Sequence, residues 1–428
     1  MNWMIDIKIL RDSPEKVRDN LEKRAIGDFP LDELISEDKK RRESITSAQK
    51  LKEERNTISL EIASQKKQGA DASVLIDQMK KVSENITLYE KLAEESEKKL
   101  NELLSRLPNF IDPEVPIGSD ASTNKEISHW GIPEKKSSPD HMEIASIFDL
   151  IDVERAAITS GARFYFLRRD LARLNYALIS FALDFLRDRG FILIQPPYML
   201  KREAIGGAVI LSDFEDVIYK IQDEDLYLIG TSEHAIASMH MKEIFDGRNL
   251  PVHYAGVSPC FRKEAGAHGK DTKGIFRVHQ FEKVEQFVFC TPERSEDEHR
   301  KILANAEEFM KKLGIPYRTI ILSSGDMGKV ASKTFDIEAW VPSQSNYREL
   351  ISCSNCTDFQ ARALGIKYRE KAHEESRFVH TLNSTLVATE RTLVVFLENY
   401  FDSKSRIIKI PEPLRPYMNF QTTITPVG

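Results

Sequence analysis

Three absences bound the reading before any motif does. No apolar run approaches the ~20 residues that a membrane-spanning helix needs, so nothing in the chain is expected to enter a membrane. Cysteine is scarce: Cys260, Cys290, Cys353 and Cys356 are the whole set in 428 residues. That is too few for a disulfide framework, and a reduced, cytoplasmic setting fits it. Neither sign of charge dominates, with 61 Lys and Arg against 67 Asp and Glu and a net charge of −6. A polyanion would therefore have to be met by a local basic surface. The first residues are charged from Asp6 onward, unlike a secretion signal. The common nucleotide signatures are missing too. Gly266 to Lys270 reads GAHGK and is followed by Asp271, which fails the P-loop pattern, and no G-x-G-x-x-G follows a strand.

What is present differs between the first third and the rest, and the length favours two domains. From Leu75, positions 79, 82, 86, 89, 93, 96, 100, 103 and 107 continue as Met, Val, Ile, Tyr, Ala, Ser, Leu, Leu and Leu. Steps of four and three alternate throughout, a 3.5-residue repeat that marks a coiled-coil seam. A weaker seam precedes it: Ser44, Ala48, Leu51, Arg55, Ile58, Ile62 and Gln65. Between them, Gly69 and Asp71 in KQGADAS suit a tight reversal. Two such helices must run antiparallel, and the first, at about 30 residues, predicts a hairpin about 45 Å long. A dimerisation rod is one reading of it. Charge suggests another: residues 39 to 67 hold nine Lys and Arg against four Asp and Glu, whereas residues 71 to 107 hold six against eight. One helix is basic, as a phosphate-backbone contact requires.

Pro108, Pro113, Pro116, Pro133 and Pro139 mark a linker. Beyond it, helices are expected at Ala172 to Arg189, Glu296 to Leu313 and Glu390 to Tyr400. Strands are expected in FILIQPPYML, LYLIG, VHYAGVSP, GIFRVHQFEKVEQFVF, YRTIIL and TFDIEAW. Without regular βαβ alternation, this order predicts an α+β fold on an antiparallel sheet.

Cys353 and Cys356 have the spacing of half a zinc site. Cys260 and Cys290 stand apart and His268 and His279 lack ligand spacing, which favours packed thiols and no zinc. The stretch from Phe261 to Phe289 carries more chemistry. Side chains two apart share a strand face, so Arg262 and Glu264 form one set and Arg277, His279, Phe281, Lys283 and Glu285 another. Arginine forks suit phosphate oxygens, an aromatic ring can stack on a base, and carboxylates accept from amino groups. A solvated hairpin laced with ion pairs has the same pattern.

The stretch resembles motif 2 of the class II aminoacyl-tRNA synthetases, and in detail that of the seryl-tRNA synthetases: F-R-x-E-A-G, a polar loop with G-x-D-T-x-G, then R-x-H-Q-F-x-K-V-E. FALDFLRDRGFILIQPPYML is similar to motif 1 with Pro197 at its proline, and LIGTSEHA resembles the family's T-[SA]-E segment. YRELISCSNCTDFQARALGIKYR resembles its C-S-N-C-T-D-F-Q region, LNSTLVATERTLVVFLENY is similar to motif 3, and PEPLRPYM is also familial. The resemblance covers nearly the whole chain. One departure is Glu390, where many relatives place glycine or another small residue before the motif 3 arginine.

The resemblance implies a class II antiparallel sheet with flanking helices, behind an N-terminal coiled-coil hairpin. It implies an N-terminal tRNA-binding domain over 1–110 with its arm at about 38–107, a linker over 111–140 and a catalytic domain over 141–428. The reaction it implies is serine activation by ATP with Mg²⁺, then transfer to the 3′ end of tRNA(Ser), with tRNA(Sec) a further acceptor. Arg262 would hold the α-phosphate and serine carboxylate, and Glu264 would accept from the adenine amino group. Phe281 and Arg391 would sandwich the ring, and Arg277 and Arg391 would steady the triphosphate. Val278, Leu350 and Ile351 complete the implied ATP set, and Glu349 and Ser352 would coordinate Mg²⁺. Thr231, Ser232 and Glu233 would line the serine site, Glu285 would take the ammonium, and Asn383 and Thr385 would face the hydroxyl. The arm would bind tRNA(Ser), motif 1 would form a homodimer, and no zinc is implied. Three competitors remain: a synthetase for another small amino acid, a ligase charging a carrier protein, and a catalytically dead adaptor. The last predicts loss of Arg262, Glu264, Glu285 or Arg391, and all four are present.

Overall fold

The computed structural model describes residues 4–134, 138–214, 216–263, 273–371 and 373–426. One compact unit takes Ile5–Glu22 and Ile26–Leu107; the other takes Met4, Lys23–Ala25 and the chain from Pro108 onward.

The first unit is dominated by two long antiparallel helices, α1 (Leu31–Lys67) and α2 (Ser73–Leu104). Helix α1 has 37 residues, about 55 Å, and starts earlier than its seam predicts. Its first turn explains this: Leu31 and Leu34 are buried, and Asp32 and Glu33 complement the helix dipole. Gly69, at φ +72°, turns the chain, and an Asp71 oxygen accepts from the Ser73 N–H. Every seam position from Ser44 to Leu107 is buried or half-buried, as a heptad requires. Ile58, Ile62, Val82 and Ile86 form the centre of this core, with Leu51, Leu75 and Met79 packed on it. Each buried branched side chain contributes about 1.5–3 kcal/mol. The exposed Lys52–Glu90 pair at 2.7 Å belongs to a class worth about 0–1 kcal/mol. The seam, not the charges, holds the hairpin.

The second unit is built on an eight-stranded sheet. In chain order its elements are β1 (Lys125–Trp130), α3 (Arg169–Arg187), β2 (Ile192–Ile194), α4 (Ser232–Met239), β3 (Val252–Phe261) and β4 (Gln280–Cys290). Then follow α5 (Ser295–Leu313), β5 (Tyr317–Ile321), β6 (Lys333–Val341), β7 (Asn346–Asn355), β8 (His380–Ala388) and α6 (Thr389–Tyr400). The spatial order is β1-β5-β6-β7-β8-β4-β3-β2, antiparallel except for β2 beside β3. Leu174, Leu178 and Phe185 of α3, Phe309 and Met310 of α5, and Leu393 and Phe396 of α6 pack with the apolar residues of the sheet. Helix α5 has Glu296, Asp297 and Glu298 in its first turn and Lys311 and Lys312 in its last, and stops at Gly314 with φ +67°. The strand from FILIQPPYML ends at Ile194, ahead of Pro196 and Pro197, which have no N–H for a ladder, and pairing resumes at Met199. The strand expected from residue 274 begins only at Gln280.

Two bulges position the site. Leu350 is an extra residue in β7 opposite β6, and Leu386 is an extra residue in β8 opposite β4. A bulge shifts the alternation by one, so residues of opposite parity come to share a face.

Candidate active site

A cavity of about 320 Å³ opens on the face made by β4, β7 and β8. One end of it starts from Gly256. A Cβ there would stand 2.5 Å from Cδ1 of Ile236 on α4, so only glycine lets that helix seat on the strand. The Ser232 hydroxyl donates to the Gly256 carbonyl at 3.2 Å, and Thr231 caps the helix by accepting from the Glu233 N–H. Glu233 is thereby turned into the cavity beside Glu285, which lies opposite Gly256 and Thr385 in the sheet. The Asn383 amide bridges the carboxylates, 3.2 Å from Glu233 and 3.3 Å from Glu285. Thr385 donates to Glu285 at 3.2 Å, Gln360 donates to Glu233 at 3.0 Å, and the Lys283 ammonium sits 2.5 Å from Glu285. Burial and the Glu285 charge push Glu233 up to about 7. Two carboxylates flanked by an amide and a hydroxyl form a site for an ammonium with a neighbouring hydroxyl.

The Arg262 guanidinium also lines the cavity. Its Nε donates to the Gly230 carbonyl at 3.2 Å, and it stands 5.2 Å from the Phe281 ring centre. Arg277, Val278, Phe281, Glu349, Leu350, Ser352 and Arg391 line the cavity as well. Glu349 and Ser352, three apart, would face opposite ways on a regular strand; the Leu350 bulge brings both to the cavity. Arg391 holds the Glu349 carboxylate at 3.2 Å and its carbonyl at 3.1 Å, with its guanidinium 5.2 Å from the Phe276 ring.

Asp336, opposite Ser352 on β6, bears on the Mg²⁺ expectation. Its Oδ1 is buried with no hydrogen-bond partner among the described residues, and burial with the nearby Glu349 charge pushes its carboxyl well above the ordinary range. A hard-oxygen set with an orphaned carboxylate oxygen fits a divalent cation.

Not every residue of the expected set lies at the cavity. Ser232 does not face the cavity, because its hydroxyl is spent on Gly256. Ile351 turns into the hydrophobic core. His279, placed with the hairpin set, lies outside the strand and bonds the Arg262 carbonyl through Nδ1 at 2.8 Å. Glu264 lies outside the described residues. The two cysteines of the C-S-N-C segment have separate surroundings: Cys353 Sγ faces the His299 carbonyl, and Cys356 Sγ lies 3.7 Å from Asn383 Oδ1. Burial raises both thiols, which disfavours the thiolate a metal needs. Gln360, Phe276, Asp336 and Lys283 carried no binding role in the sequence reading. Of these, Lys283 shares the strand parity of Phe281 and Glu285, and Gln360 ends the C-S-N-C-T-D-F-Q segment.

The profile of the class II core domain for glycine, histidine, proline, serine and threonine synthetases matches residues 217–400, and that of the seryl-tRNA synthetase N-terminal domain matches 4–111. The serine–tRNA ligase of Nitrosopumilus maritimus is 54% identical over 98% of this chain and 100% of its own. The seryl-tRNA synthetase of Pyrococcus horikoshii, solved in complex with ATP, superposes with a TM-score of 0.94 at 44% identity, over 99% of this chain and 100% of its own. The cytoplasmic enzyme of Naegleria fowleri, solved with AMP, gives 0.88 at 34% identity over the full length of both. A coiled-coil hairpin joined to an antiparallel class II core, with relatives this close along the whole length, means that the chain belongs to the seryl-tRNA synthetases, the serine–tRNA ligases of class II.

Proposed function

We propose that the cavity is where L-serine and ATP react to seryl-adenylate, before the seryl group passes to the 3′ end of tRNA(Ser). The observation that carries this is the paired Glu233 and Glu285 with Asn383 and Thr385, one guanidinium away from an aromatic, arginine-rich wall. Glu285 and Glu233 take the serine ammonium, and Thr385 and Asn383 meet its hydroxyl. A site that pairs a hydroxyl rejects alanine strongly, since its polar groups would be left without partners.

In the first step a serine carboxylate oxygen bonds to the α-phosphorus, the bond from that phosphorus to the bridging oxygen breaks, and pyrophosphate leaves. Negative charge grows on the α-phosphate oxygens and the leaving group. Arg262, fixed in advance by Gly230, stabilises the first, and Arg277 and Arg391 the second. Phe281 stacks on adenine with Arg391 across from it, and Glu264 accepts from the amino group. Glu349 and Ser352 would hold Mg²⁺, which supplies charge neutralisation between the phosphates. In the second step a terminal ribose hydroxyl attacks the acyl carbon and AMP leaves.

The domain boundaries proposed are 1–110, 111–140 and 141–428. The arm binds tRNA(Ser), supported by the basic charge of α1. The protein acts as a homodimer through motif 1. Support comes from β2, an edge strand whose Ile192 and Leu193 are 55% and 41% exposed, a surface that a second copy would cover. A monomer by light scattering at micromolar concentration would count against it. Four buried, unpaired thiols support a cytoplasmic setting. Arg391→Ala is expected to abolish serine-dependent ATP–pyrophosphate exchange with the circular dichroism spectrum unchanged; normal exchange in that variant removes Arg391 from the mechanism.

A further inference from the structure

We infer that Glu390 is a positioning residue for the nucleotide end of the site, a buried staple joining the strand that carries Phe281 to the helix that carries Arg391. The inference rests on the adenylate-forming reading above and extends it to a residue that reading leaves without a role.

Glu390 is 2% exposed and borders the cavity. A carboxylate in that position needs a reason, since burying one without partners is costly. Its partners come from three places. Tyr165 donates its hydroxyl to one oxygen. The Glu282 N–H donates to the other at 3.0 Å, and the Thr389 hydroxyl donates to that same oxygen at 3.0 Å. Glu282 directly follows Phe281 on β4, and Arg391 directly follows Glu390 on α6. One side chain thus ties the backbone beside the stacking ring to the turn beside the motif 3 arginine.

The surroundings reinforce the same junction. Thr389 also donates to the Glu282 carbonyl at 3.3 Å, and Asn175 of α3 donates to the Glu282 carboxylate. Glu282 is therefore held through its N–H, its carbonyl and its side chain, which fixes the pitch of Phe281. The Glu282 N–H and the Tyr165 hydroxyl donate to different oxygens of Glu390, and the Thr389 proton is shared between Glu390 and the Glu282 carbonyl. Alanine would orphan a buried N–H and a buried phenol hydroxyl together. Glutamine can keep both links, because its carbonyl accepts from Glu282 while its amide donates to a Tyr165 hydroxyl turned round to accept.

The bland alternative is a folding hub whose loss weakens everything equally. The two separate in the exchange assay, because the bonds of Glu390 go to Tyr165, Glu282 and Thr389, and none goes to Glu233, Glu285, Asn383 or Thr385 at the serine end. In the full-length protein, Glu390→Ala is expected to raise KM for ATP about tenfold while KM for serine stays within about twofold. Glu390→Gln should recover ATP affinity to within about threefold of wild type. Equal rises in both KM values, or a Gln variant as impaired as Ala, would overturn the staple. Should Glu390→Ala fail to fold, Tyr165→Phe removes a single donor. It is expected to raise KM for ATP about threefold with that for serine unchanged, and an unchanged KM for ATP refutes the inference. Absence of serine-dependent exchange in the wild-type protein would instead refute the underlying reading.

Discussion

Asn383 shows how little of a binding site is local. Its amide nitrogen lies within hydrogen-bonding distance of Glu233 and Glu285, and its oxygen faces the Cys356 thiol, so three distant segments determine which way it points. The same crowding gives Glu233 its character. Its ordinary value of 4.5 rises to about 7, chiefly by burial and then by Glu285. A carboxyl raised in the folded state binds its proton more tightly there than when unfolded, so its stabilising contribution is complete below about 4.5 and lost as pH rises through about 7. Glu233→Gln should therefore flatten the fall in melting temperature between about pH 5 and pH 8. In wild type, serine should bind more tightly at about pH 8 than at about pH 6, because an ammonium favours the ionised form. A serine KM independent of pH across that range would separate Glu233 from the amino group. Sequence reading gave no role to Gln360, which ends the C-S-N-C-T-D-F-Q segment and bonds Glu233 from a short helix, or to Asp336, which faces Ser352 across the sheet. Ser232, next to Glu233 in sequence, turns its hydroxyl to the Gly256 carbonyl instead.

The heptad seam of the N-terminal hairpin was legible, because a 3.5-residue repeat is a property of neighbouring positions. The start of α1 was not, since the buried Leu31 and Leu34 precede the repeat and lie outside the cluster at its centre. Strands β7 and β8 were the hardest to see. They lie in the middle of the sheet, β8 is buried along almost its whole length, and each carries a bulge, so neither keeps a clean alternation. Those bulges are what bring Glu349 and Ser352, and Thr385 and Ala388, to one surface. The hairpin makes its own prediction. No cavity-lining residue comes from it, so deleting residues 39 to 107 should leave serine-dependent exchange near wild type and reduce tRNA charging by orders of magnitude. Loss of both activities would show that the catalytic unit depends on the arm for folding; retention of both would remove the arm from tRNA recognition.

The α+β fold follows from scattered short strands and a few amphipathic helices, but which strands neighbour one another does not. β1 pairs with β5 across nearly two hundred residues, and β2 joins β3 in parallel within an otherwise antiparallel sheet. Such long-range pairings leave no trace in local periodicity. The consequence of that topology is a single cavity in which an acidic, hydroxyl-lined end and an arginine- and aromatic-lined end share Arg262. The central claim is that these two ends bind serine and ATP for one reaction. The most direct measurement is amino-acid-dependent ATP–pyrophosphate exchange without tRNA, with serine, threonine, alanine and glycine compared side by side. Exchange with serine alone is expected; exchange driven equally by alanine or glycine, or none with any of the four, would contradict it.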